Sequence, residues 1–274
     1  MKLDYPMPRQ ARQLVALWQE AFGDSVEFIE GFYCTGFSPS RCRCLSIDGE
    51  VAAAAYWMDL RLESRRYAYI YAVAVAKKHR GKGLSRVLMA DIHSQLALRG
   101  YSGALLVPQD ASLRQMYGKM GYRDCTTVAE FTALAGDAPL ELKRIDRDAY
   151  CRLRRELLPS GSAVEEAESI AYLENMAFFY WGAGVLLAAR RENGVLYCPE
   201  YLGDESLAPG VLAFLKCREG HFRIPGDEKP FAMFLGLEAD ARYLPIWHWP
   251  LTEKYPRFRK LLRNRGSFIS GWAG

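Results

Sequence analysis

Apolar residues recur along the chain with two alternating periods. From Gln10 to Phe22 they fall at Leu14, Val15, Leu17, Trp18 and Phe22, a spacing that predicts an amphipathic helix. Gly23 can end it, and Asp24 or Ser25 can cap a second short helix through Phe28, Ile29, Phe32 and Tyr33. Beyond Pro39 the pattern becomes that of strands. Cys44 to Ile47, Asp48-Gly49 and Val51 to Leu62 read as a hairpin, because Asp-Gly supplies the positive φ angles of a two-residue turn. A polar link, Glu63 to Arg66, leads to a strand at Tyr67 to Val75. The next helix sets Leu84, Val87, Leu88, Ile92 and Leu96 on one face and stops at Gly100. Ala104 to Val107 is a short apolar strand, and Asp110 or Ser112 caps a helix carrying Leu113, Met116, Tyr117 and Met120. Tyr122 to Leu134 is again strand. Alternation of this kind predicts an α/β fold, in the α+β sense of a mixed sheet with helices on it.

Ala135-Gly136-Asp137-Ala138-Pro139 is the best boundary, dividing the chain into 1–135 and 139–274. The plan then repeats: helices over Asp146 to Leu157 and Ser162 to Phe179, then a hairpin of Val185 to Arg190, Asn193-Gly194 and Val195 to Leu202. Asn193 lies 145 positions after Asp48, so an internal duplication is expected. A strand over Pro230 to Leu237 and a basic, aromatic tail from Ile246 close the chain.

Composition changes this picture little. Half of the 274 residues are hydrophobic and a quarter charged, as in a protein with an ordinary core. A net charge of +4 gives no reason to expect nucleic acid as a partner. Neither a secretory leader nor a run long enough to span a membrane is read, so no membrane partner and a cytoplasmic location are expected. Seven cysteines without a C-x-x-C argue for reduced, buried thiols, and no metal is expected.

The chemistry gathers between Tyr67 and Tyr122. Lys78-His79-Arg80-Gly81-Lys82-Gly83 lies where a strand hands over to a helix, and there unpaired N–H groups and the positive end of the helix dipole face the same spot. Gly81 and Gly83 let the backbone approach a phosphate, and Arg80 and Lys82 add positive charge. The corresponding stretch of the second half, Gly203-Asp204-Glu205-Ser206, carries two carboxylates that would repel a pyrophosphate. Val73-Ala74-Val75, Arg80-Gly81-Lys82-Gly83-Leu84-Ser85 and Met116-Tyr117-Gly118-Lys119-Met120-Gly121-Tyr122 together resemble the acetyl-CoA-binding motifs of the GNAT N-acetyltransferase superfamily.

The resemblance implies two GNAT-like halves: 1–135 catalytic, and 139–274 degenerate and shaping the acceptor side. It implies that Val73, Ala74 and Val75 pair with the pantetheine arm and polarise the thioester carbonyl. It further implies that the amides from Arg80 to Ser85 hold the pyrophosphate, with Lys78 as a basic neighbour. Tyr117 matches the tyrosine that protonates the departing thiolate, although it shares a helix face with Leu113, Met116 and Met120 and could equally fill the core. The implied reaction transfers acetyl from acetyl-CoA, a co-substrate, to a primary amine on a small molecule or peptide. No general base stands out: Glu50, Asp59, Glu130 and the carboxylate of Gly274 are all candidates. The acceptor and the oligomeric state are not legible. The competing reading is a non-catalytic acyl-CoA-binding sensor or interaction module of the same fold.

Overall fold

The computed structural model describes residues 1–62, 65–125, 127–158, 164–165, 168–226 and 228–237; the expected basic tail, Trp247-His248-Trp249 and Gly274 lie outside them. The chain opens with β1 (Lys2–Asp4), α1 (Ala11–Phe22) and α2 (Val26–Thr35), followed by β2 (Cys42–Ile47), β3 (Glu50–Leu62) and β4 (Arg65–Val75). Then come α3 (Leu84–Leu98), β5 (Gly103–Leu106), α4 (Ala111–Gly118), β6 (Arg123–Asp124) and β7 (Thr127–Leu134). The periodicity is realised as expected where one face is buried. In α1, Leu14, Leu17 and Trp18 point inward, and Gly23 ends the helix at φ 78°. The Ser25 hydroxyl accepts from the Phe28 amide at 3.2 Å and caps α2. In α3 the buried stripe is Leu84, Leu88, Met89, Ile92 and Leu96, whereas Val87 is exposed, one position off the expected face.

The second half supplies β8 (Lys143–Ile145), α5 (Arg147–Leu157), β9 (Val164–Glu165), α6 (Glu168–Glu174), β10 (Phe178–Gly182), β11 (Val185–Glu192) and β12 (Val195–Leu202). It continues with α7 (Ala208–Leu215), β13 (Glu219–Pro225), β14 (Lys229–Pro230) and β15 (Met233–Gly236). The helix expected over Ser162 to Phe179 is thus described only as α6, and Phe178 and Phe179 begin a strand. Aromatic and β-prone residues from Phe178 to Trp181 find a sheet edge on β11 and β8, and tertiary pairing overrides the helical reading. Likewise the strand expected over Pro230 to Leu237 is divided into β14 and β15.

One sheet runs β1-β2-β3-β4-β5-β15-β6, with β9 beside the far end of β3; the other runs β8-β10-β11-β12-β13-β7-β14. Position by position the two orders match: four strands in three antiparallel pairings, then one parallel pairing (β4 with β5, β12 with β13), then two antiparallel ones. The duplication is therefore visible in the topology, but the offset between Asp48-Gly49 and Asn193-Gly194 pairs the wrong hairpins. Asp48-Gly49 joins β2 to β3, whose counterpart is Ala183-Gly184 between β10 and β11, with φ 47° and 78°. Asn193-Gly194 joins β11 to β12 and corresponds to the link between β3 and β4. Turn chemistry misled the alignment because Ala183 adopts an angle usually left to Asn, Asp or Gly.

The halves also exchange a strand. β7 lies before the 135–139 link yet pairs with β13, and β15 lies far beyond it yet sits between β5 and β6. Gly103 permits this: a Cβ there would meet the Phe234 ring at 2.2 Å and the Leu235 carbonyl oxygen at 2.8 Å. Gly103→Val is expected to expel β15 and lower the unfolding midpoint by several degrees, on the order of 1–3 kcal/mol for overpacking, read by thermal melting. The second half touches the first at a further place. Tyr172 of α6 is buried among Phe28, Phe32 and Tyr71, and Asn175, just after α6, donates to the Gly31 carbonyl at 3.2 Å.

Candidate active site

β4 is the strand on which the site is built. It pairs with β5 only at Tyr67–Gly103, Ala68–Ala104 and Tyr69–Leu105, after which the two strands part. Their facing main-chain groups beyond that point are left for another partner. At the parting, Ala72 has φ 48° and the β3–β4 register shifts by one residue, a β-bulge. The bulge reverses the alternation. Tyr67, Tyr69 and Tyr71 pack toward α2 and α6, whereas Val73 and Val75 pack toward α3, the face that Ala68 and Ile70 occupy before the bulge. A one-residue slip moves every later side chain to the other face of the sheet.

A cavity of about 690 Å³ passes through the opening. Its lining includes Val73, Ala74, Val75, Arg80, Ser85, Leu113, Met116 and Tyr117, together with Trp18, Phe22, Asp24, Phe28, Tyr69, Tyr71 and Arg190. Its size is that of an ordinary small-molecule site. Of the residues expected from the sequence, the structure brings Val73, Ala74, Val75, Arg80, Ser85 and Tyr117 to this cavity. Lys78, Gly81, Lys82, Gly83 and Leu84 lie in the adjoining turn; Lys78 is paired with Glu50, and the Leu84 side chain is in the core.

The turn has the form that an anion requires. Gly81 and Gly83 have φ 74° and 75°, and Gly83 stands at the N-cap of α3. Among the described residues, no backbone acceptor takes the amides of Gly81 to Ser85. Arg80 Nε donates to the Val75 carbonyl at 3.0 Å and ties the turn to the end of β4. The equivalent turn after β12 is closed instead. The Asp204 carboxylate accepts from the Ser206 amide at 2.9 Å, occupying the place where an external anion would bind.

Tyr117 lies on α4 against the cavity, and burial alone pushes its phenol up to about 12. It is therefore both core and cavity wall: its ring packs edge-on to Tyr122 at 5.8 Å, and Tyr122 shares a 2.8 Å hydrogen bond with His93 Nε2. Burial holds His93 down to about 4, so it is neutral near pH 7.

Among the described residues, none of the carboxylates considered as bases lines the cavity, and Gly274 lies outside them. Glu50 is exposed beside Lys78, Asp59 accepts from Tyr101 and Arg66 at 2.5 and 2.6 Å, and Glu130 is held by Arg223 and Lys229 in the other sheet. Two carboxylates do line it. Asp110 caps α4 by accepting from the Leu113 amide at 2.7 Å, and Asp24 accepts from Trp18 Nε1 at 2.7 Å. Asp24 reads in the sequence as a helix cap. Ser25 takes that role, which leaves the Asp24 side chain to face the cavity. Burial raises Tyr71 and Tyr172, whose hydroxyls lie 3.1 Å apart, and the negative charge of Asp24 raises both further. Among the described residues, no three His, Cys, Asp or Glu side chains converge as metal ligands do.

Residues 7–125 match the acetyltransferase (GNAT) domain family. Over 88 residues, 30% of this chain, the sequence is 40% identical to the N-acetyltransferase Eis of Mycobacterium tuberculosis (strain ATCC 25177 / H37Ra) and, with the same figures, of Mycobacterium bovis (strain AF2122/97 among others). That alignment spans only 21% of the length of those relatives. The fold is similar to a GCN5-related N-acetyltransferase from Kribbella flavida, at TM-score 0.68 and 20% identity over 88% of this chain and 72% of that one. It is also similar to Eis1 from Mycobacterium abscessus, at TM-score 0.64 and 11% identity over 88% and 75%. Sequence match, parted central strands and anion-ready turn coincide within one segment, and it is residues 7–125 that carry the match to the acetyltransferase (GNAT) domain family.

Proposed function

We propose that this protein is an acetyl-CoA-dependent N-acetyltransferase whose catalytic half is 1–135 and whose half 139–274 is degenerate and shapes the acceptor side. The observation that carries this reading is the single cavity joining the anion-ready turn, the parted strands and Tyr117 to an aromatic chamber that holds Asp24. The amides of Gly81 to Ser85 take the pyrophosphate. The pantetheine arm lies between β4 and β5 and bonds to the main chain of Val73 to Val75, and N–H groups there meet the negative charge that develops on the thioester oxygen. Asp24 holds the incoming ammonium. Once deprotonated, the amine attacks the acetyl carbon through its lone pair; a C–N bond forms, and the C–S bond breaks with its electron pair on sulfur. The surplus proton passes from nitrogen to Asp24 and on to water, and Tyr117 gives its proton to the thiolate.

A phenol held near 12 is a weaker acid than a free thiol of about 8.5 in water. Leu113 and Met116 make the same wall apolar, so the departing thiolate is desolvated and its proton affinity rises as that of Tyr117 does, which limits the uphill gap; reprotonation of Tyr117 from water then draws the transfer forward.

The test is to incubate the protein with acetyl-CoA and a panel of amines and to follow free thiol. Tight acetyl-CoA binding without thiol release for any amine would turn the reading into an acyl-CoA-binding module. Gly81→Val provides a second check. A Cβ at Gly81 meets nothing within 4 Å, so the substitution acts through the backbone angle and not through a clash. It is expected to weaken CoA binding by about tenfold or more by calorimetry, and unchanged binding would remove the turn from the site.

A further inference from the structure

The cavity draws its lining from both faces of the first sheet. Val73, Val75, Leu113, Met116 and Tyr117 pack in the core beneath α3, whereas Trp18, Phe28, Tyr69 and Tyr71 pack in the core against α2 and α6. This second set, joined by Phe22, is aromatic. Trp18 links its members, with ring centroids 6.0 Å from Phe22 and 5.7 Å from Tyr71, both edge-on. Phe22 stays 40% exposed at the last turn of α1, and Phe28 is half-buried. Their rings are apolar surface that the fold itself leaves partly uncovered, and both border the cavity.

Among these rings sits a carboxylate of fixed orientation. Trp18 Nε1 donates to one oxygen of Asp24 at 2.7 Å, and among the described residues no hydrogen-bond donor reaches the other. The remaining charges of the lining are engaged within the protein. Asp110 caps α4, Arg80 holds the Val75 carbonyl, and Arg190 stays with its own sheet, over Tyr197 at 5.2 Å and 3.8 Å from Glu192. Asp24 and Asp110 against Arg80 and Arg190 leave the described lining without net charge. A polycation is therefore a poor fit, because each ammonium beyond the first would lose water without gaining a carboxylate. An aliphatic monoamine would satisfy Asp24 and leave the rings uncovered.

We infer that the acceptor is an aromatic monoamine, its single primary ammonium held at Asp24 and its ring packed against Trp18, Phe22 and Phe28. This rests on the acetyltransferase reading and adds to it the substrate class. A cation beside both a carboxylate and aromatic faces is attracted by each, since the face of an aromatic ring is negative. Acetylation turns the ammonium into a neutral amide, which loses both attractions and so favours release of product. The cavity of about 690 Å³ must also hold the thioester arm, which restricts the acceptor to a small molecule.

The experiment measures thiol release with phenethylamine, butylamine and spermidine for the wild-type protein, Phe22→Ala, Phe22→Leu and Phe28→Leu. Phenethylamine is expected to be the best acceptor, by about tenfold in kcat/KM at equal concentrations of free amine. Phe22→Ala should lower the ratio of phenethylamine to butylamine about tenfold, a comparison from which the basicity of the amines cancels. Phe22→Leu, which restores apolar area without a ring, should recover part of that loss, and Phe28→Leu should lower the same ratio. A purely structural role would reduce all three amines by one factor. A ratio unchanged in both Phe22→Ala and Phe28→Leu, or spermidine as the best acceptor, would overturn the inference while thiol release upheld transfer.

If no amine releases thiol, the same three are titrated into the CoA-loaded protein by calorimetry. Tighter binding of phenethylamine than of butylamine, lost in Phe22→Ala, would uphold the ligand class while refuting transfer. Equal binding of the two, or none, would refute the ligand class itself.

Discussion

Replacing Tyr117 by Phe is expected to lower kcat by about a hundredfold or more while leaving the affinity for acetyl-CoA nearly unchanged. The ring that packs on Tyr122 is kept, so the fold loses only a hydroxyl facing the cavity. What is lost is the proton for the thiolate. Because burial holds the phenol near 12, it stays protonated across the usual assay range. The wild-type rate should therefore rise with pH as the amine loses its proton and should show no Tyr117-dependent fall between about pH 8 and 10. A Phe variant with unchanged kcat in a single-turnover measurement would return Tyr117 to the core. A descending limb in this interval that disappears in the variant would show that the phenol titrates lower than its burial implies.

The second large effect concerns the half without the anion turn. Glu200 of β12 and Arg154 of α5 are both 1% exposed, and Arg154 Nε lies 2.9 and 2.8 Å from the two carboxylate oxygens. Tyr150 donates to the same carboxylate, its ring stacked on Phe179 at 3.9 Å. Glu200→Gln is expected to destabilise the protein by about 3–5 kcal/mol in urea unfolding, because it removes the charge of a buried carboxylate that both Arg154 and Tyr150 address. Replacing the pair together, as Glu200→Met with Arg154→Leu, should recover most of that loss, since apolar residues of similar volume need no compensation. If single and double variants were equally unstable, the pair would act through packing alone.

The features legible in the sequence are those whose physics is local. Leu14, Leu17 and Trp18 announce the buried face of α1, and Gly81 and Gly83 announce a backbone able to face an anion. Asp204 and Glu205 announce that the second turn does not. Tyr117 could be placed on its helix, although the same spacing left it equally suited to the core, and the structure makes it both. What escaped is what depends on the other half. By periodicity Phe178 and Phe179 belong to a helix, but the sheet edge that claims them is formed by β8 and β11. The duplication was legible, but its alignment was not, because Ala183 makes a turn that its residue type does not advertise.

Two determinants of the site belong to tertiary structure alone. The run Tyr67 to Val75 alternates without interruption in the sequence, yet the bulge at Ala72 turns Val73 and Val75 to the opposite face from Tyr69 and Tyr71. A positive φ at alanine is unfavourable by itself and persists only because pairing with β3 on one side and the parting from β5 on the other impose it. The cavity is the second case. Asp24 and Arg190 line it together only when β11 docks beside α1 and α2, and no periodicity within one segment can report on contacts more than a hundred residues apart. The chain's sequence thus determined which half could take a nucleotide anion, through glycine angles and charge within a few residues. Tertiary structure decided where the strands part and which charged residues line the cavity, because both follow from long-range packing.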